Sequence, residues 1–201
     1  KPRVMSLLLV SAVTGAFLGT GSTPSAAVFL TVMIGGALAS GGAASLNMAY
    51  EGELDQVMGR TKNRPVAEGR ISARAAMLFG LILNGAAFLV FALMTNMLAA
   101  SLAIVGTILY FGLYTVILKR TTTQNIVIGG AAGAVPPLVG YAAATGTVDL
   151  SAWYLFSIIF FWTPPHFWAL AIMIKDDYAR ADVPMLPVVR GLGYTSKQIF
   201  L

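Results

Sequence analysis

Long apolar stretches alternate with short polar segments along the whole chain. A helix needs about 20 apolar residues to cross the hydrocarbon core of a bilayer, and six stretches approach or exceed this length. The pattern therefore predicts an all-α polytopic membrane protein, a transmembrane helical bundle without a soluble domain. The predicted spans are residues 4–20, 26–50, 75–93, 97–118, 126–144 and 152–174.

The two ends of the chain indicate a larger protein. The first residue is Lys1 and not methionine, and an apolar segment that looks like the start of a seventh span begins near Lys197. We expect residues 1–201 to form a single transmembrane domain that lacks a short N-terminal stretch and one or more C-terminal helices. No cleavable signal with a small-residue cleavage site is evident.

The composition agrees with a bilayer environment. Of the 201 residues, 57% are hydrophobic and 10% are charged, and the mean hydropathy is +0.79. A soluble domain carries about a quarter charged residues, so this chain has too few polar groups to cover a surface in water. The lack of cysteine excludes disulfide bonds and thiolate metal sites within the chain.

The charged residues are distributed asymmetrically. All 13 lysines and arginines precede the first predicted span or follow the second, fourth and sixth, and seven of the eight acids share that side, with Asp149 opposite. Because basic loops stay in the cytoplasm, we expect this side to face the cytoplasm from a bacterial inner membrane. The net charge of +5 therefore reports orientation, and no nucleic-acid partner is expected.

Three polar residues, Asn47, Glu51 and Asp55, stand at intervals of four at the end of the second span. If the helix continues, they lie along one face, with Glu53 near the opposite face. Proteins hold Mg²⁺ with one or two carboxylates together with substrate phosphates. An ionisable group near membrane depth costs about 2.5–3.5 kcal/mol and is functional by default. We therefore predict a catalytic metal site; the alternative is an ordinary solvated helix end.

Basic residues follow these three positions and also end the fourth span. Arg60, Lys62 and Arg64 come shortly after Asp55, and two further cations, Lys119 and Arg120, follow the fourth span. Guanidinium and ammonium groups bind the oxygens of phosphates, so these side chains are candidates for binding an anionic substrate. The pair after the fourth span can equally be explained as charges that set membrane orientation.

A second acidic segment, Lys175-Asp176-Asp177-Tyr178, follows the sixth span. Adjacent carboxylates repel each other unless a cation lies between them. The segment is therefore a second candidate for metal binding, although its acids lack the regular spacing of the first set.

The sixth span contains a double proline, Pro164-Pro165, which predicts a kink or a break in the helix. His166, the only histidine, follows it among aromatic residues that include Trp162 and Phe167. A single histidine is most often a hydrogen-bonded core residue, and aromatic runs in membrane helices most often pack or face lipid. The functional alternative is a pocket in which these rings hold a large planar acceptor.

Several of these runs resemble a known family. The first motif of the UbiA-superfamily prenyltransferases is similar to Asn47-xxx-Glu51-xxx-Asp55-xxxx-Arg60-Thr61-xx-Arg64-Pro65. Glu51, where members with other aromatic acceptors commonly have Asp, resembles the heme-prenylating branch, as do the runs 163–171, 177–178 and 184–189. Val66 and Asp182 depart from the pattern, and Asp182 leaves open which acid of its segment binds metal.

The resemblance implies a UbiA-like bundle, typically of nine spans, around a central cavity. It also implies a Mg²⁺-dependent transfer of farnesyl from farnesyl diphosphate to a vinyl group of heme B, which gives heme O for heme–copper oxidases. The implied catalytic residues and metal ligands are Asn47, Glu51, Asp55 and Asp177. The implied diphosphate-binding residues are Arg60, Lys62, Arg64, Lys119, Arg120, Asn125 and Tyr178. The implied heme pocket contains His166, Trp162 and Phe167. Besides these substrates and the bilayer, heme A synthase is an implied candidate partner.

Two other functions remain open. A UbiA-type enzyme can instead prenylate an aromatic quinone precursor, which the run 163–171 disfavours. A membrane transporter is the alternative from another class. Transporters place charges near the bilayer midplane on broken helices, whereas the charges of this chain stand at span ends on one side.

Overall fold

The computed structural model describes residues 2–200, which form helices and turns with no strand. Six helical segments are long and apolar enough to cross a membrane, which confirms the predicted polytopic all-α fold. Five of them are α-helices: α1 (Pro2–Thr20), α2 (Ala26–Tyr50), α4 (Ala73–Met94), α7 (Asn125–Thr145) and α8 (Leu150–Met173). The fourth span is composite and runs through α5 (Met97–Thr107), a π-helix (Ile108–Leu118) and the single turn α6 (Lys119–Thr121). The short helices are α3 (Gly52–Val57), α9 (Lys175–Arg180), α10 (Leu186–Val189) and α11 (Gly191–Ile199).

Polar side chains define where four of the spans begin. Ser25, Ser72 and Asn96 each accept a hydrogen bond from the backbone N–H three residues later, at 3.3, 3.2 and 2.9 Å. Asp149 accepts one from the N–H of Ser151 at 3.1 Å. Such caps satisfy backbone donors that have no partner within the helix. The spans therefore begin within a few residues of the positions that hydropathy predicts.

The central helix is α7. More than half of its residues are buried in the bundle, a far larger share than in any other span, and it packs against α1, α5 and α8. Its contact with α1 brings two backbones together: a Cβ at Gly140 would lie 1.7 Å from the carbonyl oxygen of Ala12, and one at Gly15 would lie 2.1 Å from that of Pro137. Glycine is required at both positions because any side chain would separate the helices.

The structure shows no break at Pro164-Pro165, one of the two outcomes that the double proline predicts. Helix α8 continues through both prolines, and the Thr163 hydroxyl donates to the carbonyl of Ile159 at 2.7 Å just before them. Membrane helices tolerate proline where hydroxyl side chains, neighbouring helices or local adjustments compensate for the lost backbone hydrogen bonds. The double proline therefore lies within a continuous span.

A small cap lies at one end of the spans and joins segments that are distant in sequence. Its apolar core, called here the cap cluster, consists of Leu54, Met58, Ile126, Ala171, Tyr178, Val183 and Met185. Helices α10 and α11 lie against the end of α8. The residues from Lys197, predicted to start a seventh span, form the last turn of α11, and Leu201 lies outside the described residues. The cap brings the charged segments after α2 and α8 to the same end of the bundle.

Candidate functional site

The three polar residues at the end of α2 are buried together. Asn47, Glu51 and Asp55 are each 2% exposed, whereas Glu53 is exposed. The helix changes direction at Glu51 (φ −96°, ψ 15°), where α2 ends and α3 begins. Backbone hydrogen bonds from the Glu51 N–H to the Asn47 carbonyl (2.9 Å) and from the Asp55 N–H to the Glu51 carbonyl (2.8 Å) nevertheless preserve the four-residue spacing. The three side chains form what we call the polar ladder.

Each carboxylate of the polar ladder contacts one cation. The ammonium of Lys119 lies 2.5 Å from Oε1 of Glu51, and Nη1 of Arg64 donates to Oδ2 and Oδ1 of Asp55 at 2.7 and 2.9 Å. The cationic side chains are themselves largely buried, at 11% and 18% exposure. Burying a charge without a partner is costly, and these pairs offset the cost of burying two carboxylates in the interior. The predicted cations after α2 and after the fourth span thus meet at one place.

Thr61 holds the loop that carries Arg64. Its side chain is buried, and its hydroxyl donates to the backbone carbonyl of Asp55 at 3.1 Å. This bond turns the chain back toward α3, so that the Arg64 side chain reaches the carboxylate nine positions earlier. Thr61 has no role among the sequence predictions. Its position between two candidate basic residues of the motif was the signal that could have indicated one.

The π-helix contributes residues that the sequence pattern did not single out. Thr115 is completely buried, and its hydroxyl accepts a hydrogen bond from Nδ2 of Asn47 at 3.2 Å. The rings of Tyr110 and Tyr114 stack nearly parallel with centroids 6.1 Å apart. A long π-helix is rare, and single π-turns are frequent at functional sites. The only sequence signal was a set of hydroxyl-bearing residues within an apolar run that precedes Lys119.

The second acidic segment lies against the loop that follows α3. The Asp177 carboxylate contacts the guanidinium of Arg180, and a Cβ at Gly59 would lie 3.6 Å from one of its oxygens. The other two acids of this segment, Asp176 and Asp182, are exposed. Of the three acids whose roles the sequence left open, Asp177 is therefore the one that faces the first motif.

Tyr178, next to Asp177, is buried in the cap cluster. Burial raises the pKa of its phenol above the usual value of 10.0; the positive charge of Arg60 opposes this shift, and the negative charges of Glu51 and Asp177 add to it. The phenol therefore stays neutral at physiological pH and is available as a hydrogen-bond donor.

The remaining candidate diphosphate-binding residues differ in exposure. Arg60 and Lys62 are exposed on the loop after α3, and Arg120 lies over the ring of Tyr50 at 5.9 Å. Asn125 is completely buried, and its Nδ2 donates to the carbonyl of Thr122 at 2.7 Å. In this geometry Asn125 stabilises the turn before α7 with one of its two amide hydrogens.

The three predicted acceptor-pocket residues lie together on the surface of α8. The rings of Trp162 and His166 stack at 4.1 Å with an interplanar angle of 16°, and Phe167 meets His166 edge-on at 6.2 Å. Trp162, His166 and Phe167 are all exposed within residues 2–200. His166 is thus not the fully buried core histidine that is the commonest case, and the rings form a continuous aromatic surface.

The polar ladder fits a metal that shares its coordination with a substrate. Within the described chain, no three Asp, Glu or His side chains are grouped closely enough to hold a metal ion by themselves. Mg²⁺, however, usually takes one or two protein carboxylates, keeps waters, and completes its octahedron with substrate phosphates. Glu51 and Asp55, with the amide of Asn47, offer this oxygen donor set, and the cations beside them offer charge for the phosphates.

Comparison with known proteins gives consistent results. A family model described as the UbiA prenyltransferase family matches residues 8–201. The protoheme IX farnesyltransferase of Synechococcus sp. (strain JA-2-3B'a(2-13)) is 53% identical over 201 residues, covering 100% of this chain and 60% of that protein. That of Chloroflexus aurantiacus (strain ATCC 29366 / DSM 635 / J-10-fl) is 54% identical, covering 100% and 34%. The chain thus spans at most about 60% of the length of these two curated relatives.

Solved structures share the fold at low sequence identity. A UbiA homologue from Archaeoglobus fulgidus bound to DMAPP and Mg²⁺ superposes with a TM-score of 0.82 at 18% identity, covering 98% of this chain and 70% of that one. The apo structure of a UbiA homologue from Aeropyrum pernix K1 gives a TM-score of 0.78 at 18% identity, covering 98% and 74%. The spans, the cap and the match over residues 8–201 lead to one conclusion: the chain belongs to the UbiA prenyltransferase family.

Proposed function

We propose that the protein containing this chain transfers a farnesyl group from farnesyl diphosphate to a vinyl group of heme B, which produces heme O. The observation that carries the proposal is the joint burial of Asn47, Glu51 and Asp55. Lys119 pairs with Glu51 and Arg64 pairs with Asp55. The names of the relatives support the farnesyl donor and the heme acceptor. Because the chain covers only part of their length, the activity belongs to the whole protein.

The donor half of the proposal uses the charged end of the bundle. Asn47, Glu51 and Asp55 would hold Mg²⁺, with Asp177 as the ligand of the second segment. Mg²⁺, when bound, neutralises charge on the diphosphate and makes it a better leaving group. The side chains that would bind the diphosphate oxygens are Arg60, Lys62, Arg64, Lys119, Arg120, Asn125 and Tyr178.

The reaction is an electrophilic alkylation. The bond between the first farnesyl carbon and the diphosphate oxygen breaks, and its electron pair leaves with pyrophosphate. The vinyl π electrons of heme B then form a carbon–carbon bond to the allylic cation. Water adds to the resulting heme-side cation and loses a proton, which gives the hydroxyethylfarnesyl group. Lys119 and Arg64 stabilise the negative charge that grows on the leaving group, a large effect in a buried site.

The acceptor half of the proposal uses the aromatic surface of α8. A porphyrin presents a large flat π system, and aromatic rings stack on such systems with favourable dispersion. The stacked Trp162–His166 pair with Phe167 beside it provides flat and edge-on contacts. We place the protein in the bacterial inner membrane, with its charged loops in the cytoplasm because all of its basic residues lie on that side. Heme A synthase is the proposed partner that receives the product.

The experiment incubates membranes containing the full-length protein with heme B, farnesyl diphosphate and Mg²⁺, and weighs the heme by mass spectrometry. The expected product is heme that has gained one farnesyl group and one hydroxyl group. Asp55→Ala should abolish the product, whereas Glu53→Ala, which alters the exposed neighbour, should retain it. Unchanged heme together with prenylation of an added phenolic acceptor would reassign the protein to the quinone branch. Full product from Asp55→Ala would overturn the proposed site.

A further inference from the structure

Thr115 lies in the middle of the π-helix and is completely buried. Its hydroxyl donates to the carbonyl of Tyr110 at 3.0 Å, five residues earlier. A hydroxyl has a single hydrogen. With that hydrogen directed at Tyr110, the oxygen can act only as an acceptor toward Asn47, whose Nδ2 lies 3.2 Å away.

The amide of Asn47 has its orientation determined by two acceptors. Its Nδ2 donates one hydrogen to Oε2 of Glu51 at 2.8 Å and the other to Thr115. An ionised carboxylate also only accepts. A 180° rotation of the amide would place its oxygen against both groups, where oxygen would meet oxygen without an intervening hydrogen. The amide nitrogen therefore faces Glu51 and Thr115, and the amide oxygen points away from them.

This chain of hydrogen bonds extends to the charges of the polar ladder. Glu51 receives the Asn47 amide at Oε2 and the Lys119 ammonium at Oε1. The backbone of the π-helix thus fixes the direction of the Thr115 hydroxyl hydrogen. The hydroxyl fixes the orientation of the Asn47 amide, and the amide helps to orient the Glu51 carboxylate. The side chains of Asn47, Glu51 and Thr115 are buried, so water does not easily replace a lost partner.

We infer that Thr115 is a positioning residue that fixes the orientation of the Asn47 amide and thereby increases the affinity of the polar ladder for a divalent cation bound together with a diphosphate. The inference rests on the proposed function only in taking Asn47, Glu51 and Asp55 as the cation-binding group. Thr115 itself touches neither substrate. Groups that orient metal ligands typically contribute about 10–100-fold to metal affinity.

The test measures Mn²⁺ binding by electron paramagnetic resonance with the purified full-length protein in detergent and inorganic pyrophosphate present. Thr115→Val keeps the side-chain shape and removes the acceptor, and it should weaken Mn²⁺ binding about tenfold. Thr115→Ser keeps the hydroxyl and should bind Mn²⁺ nearly as the unaltered protein does. At saturating Mg²⁺ the KM for farnesyl diphosphate should be close to normal in both variants.

Thr107 provides a matched control. It lies in the same span, and its hydroxyl donates to Oδ1 of Asn84 at 2.6 Å, a second threonine–asparagine contact between helices. Thr107→Val should lower the unfolding temperature and leave Mn²⁺ affinity unchanged. The inference is overturned if Thr115→Val binds Mn²⁺ as tightly as the unaltered protein, if Thr107→Val weakens binding equally, or if Thr115→Ser does not restore it.

The outcomes separate this inference from the proposed function. If heme is farnesylated and Thr115→Val leaves Mn²⁺ binding unchanged, only the inference fails. If heme stays unchanged while Thr115→Val weakens Mn²⁺ binding and Thr115→Ser restores it, the inference stands and the acceptor assignment fails. If the unaltered protein does not bind Mn²⁺ with pyrophosphate, both fail.

Discussion

The ammonium of Lys119 lies 2.5 Å from a carboxylate oxygen of Glu51, although 68 positions separate the two residues in the chain. Glu51 is only 2% exposed, so bulk water does not readily replace this partner. The contact joins the end of α2 to the end of the fourth span. It therefore neutralises a buried charge and fixes the relative position of two membrane helices.

Removing the Lys119 cation alone should lower the free energy of unfolding more than removing both charges of the Lys119–Glu51 pair. Lys119→Met keeps side-chain length and leaves Glu51 buried without its ammonium, which should lower the free energy of unfolding by about 3–5 kcal/mol. The double variant Lys119→Met with Glu51→Gln should recover most of this loss, since no buried charge remains. SDS unfolding titrations in mixed micelles measure both. Additive effects of the two substitutions would show that the pair is not coupled.

Two arginine–carboxylate pairs in the same loop region differ in burial and should differ in energetic importance. Arg64 and Asp55 are 18% and 3% exposed, whereas Arg70 and Glu68 are 63% and 36% exposed. Arg64→Gln should cost about 3 kcal/mol because it leaves a buried carboxylate unpaired. Arg70→Gln should cost less than about 1 kcal/mol. Unfolding titrations compare the variants, and equal losses would contradict the assignment of Asp55 as a buried, charge-paired group.

The backbone contact between α1 and α7 can be tested with two glycines of one helix. Gly140→Ala would place a methyl group 1.7 Å from the Ala12 carbonyl oxygen, so the helices must separate. The free energy of unfolding should fall by an amount on the order of 3 kcal/mol. A Cβ at Gly133 would meet no atom within 4 Å beyond its own stretch of helix backbone. Gly133→Ala should therefore be neutral or stabilise by up to about 1 kcal/mol through helix propensity. Thermal unfolding in detergent distinguishes these opposite signs.

If α8 provides the proposed acceptor surface, substitutions of its aromatic residues should weaken heme binding without lowering stability. His166→Leu removes the ring that stacks on Trp162, and the loss of one stacking contact should weaken heme B binding up to about tenfold. Because the His166 side chain is exposed, the unfolding temperature should change little. A Soret-band titration of the full-length protein measures the affinity. Trp153→Leu, at the other end of α8, is the control and should bind heme normally; equal weakening by both would indicate nonspecific adsorption.

The sequence predicts the membrane spans well because one physical requirement dominates them. Backbone groups in lipid must be hydrogen-bonded within the helix, so hydropathy alone locates the crossings. The double proline predicts a kink or a break, and the break does not occur, since proline's effect on a helix depends on more than the hydrogen bonds that it removes. The structure keeps α8 continuous there, and the packing of neighbouring helices is not visible in a local rule.

The site could be predicted only where its geometry is local. The spacing of Asn47, Glu51 and Asp55 is a property of one helix, and the structure places all three in the interior as that spacing suggests. The choice of Lys119 as the partner of Glu51, and the contact of Thr115 with Asn47, depend on how the second and fourth spans pack. The spacing of residues within one helix does not determine how two helices pack. Hydropathy also does not reveal the π-helix, which changes which residues of the fourth span face α2.

The π-helix from Ile108 to Leu118 allows the two halves of the fourth span to present different faces to their neighbours. A wider turn changes the angular phase of every residue that comes after it. The first half of the span, where Ala99, Ala100 and Ala103 are buried, can keep the phase that tight contact with its neighbours requires. The second half can adopt a different phase, which turns the Thr115 hydroxyl and the Lys119 ammonium toward the end of α2. The packing of the first half and the polar contacts of the second half are therefore not tied to one helical register.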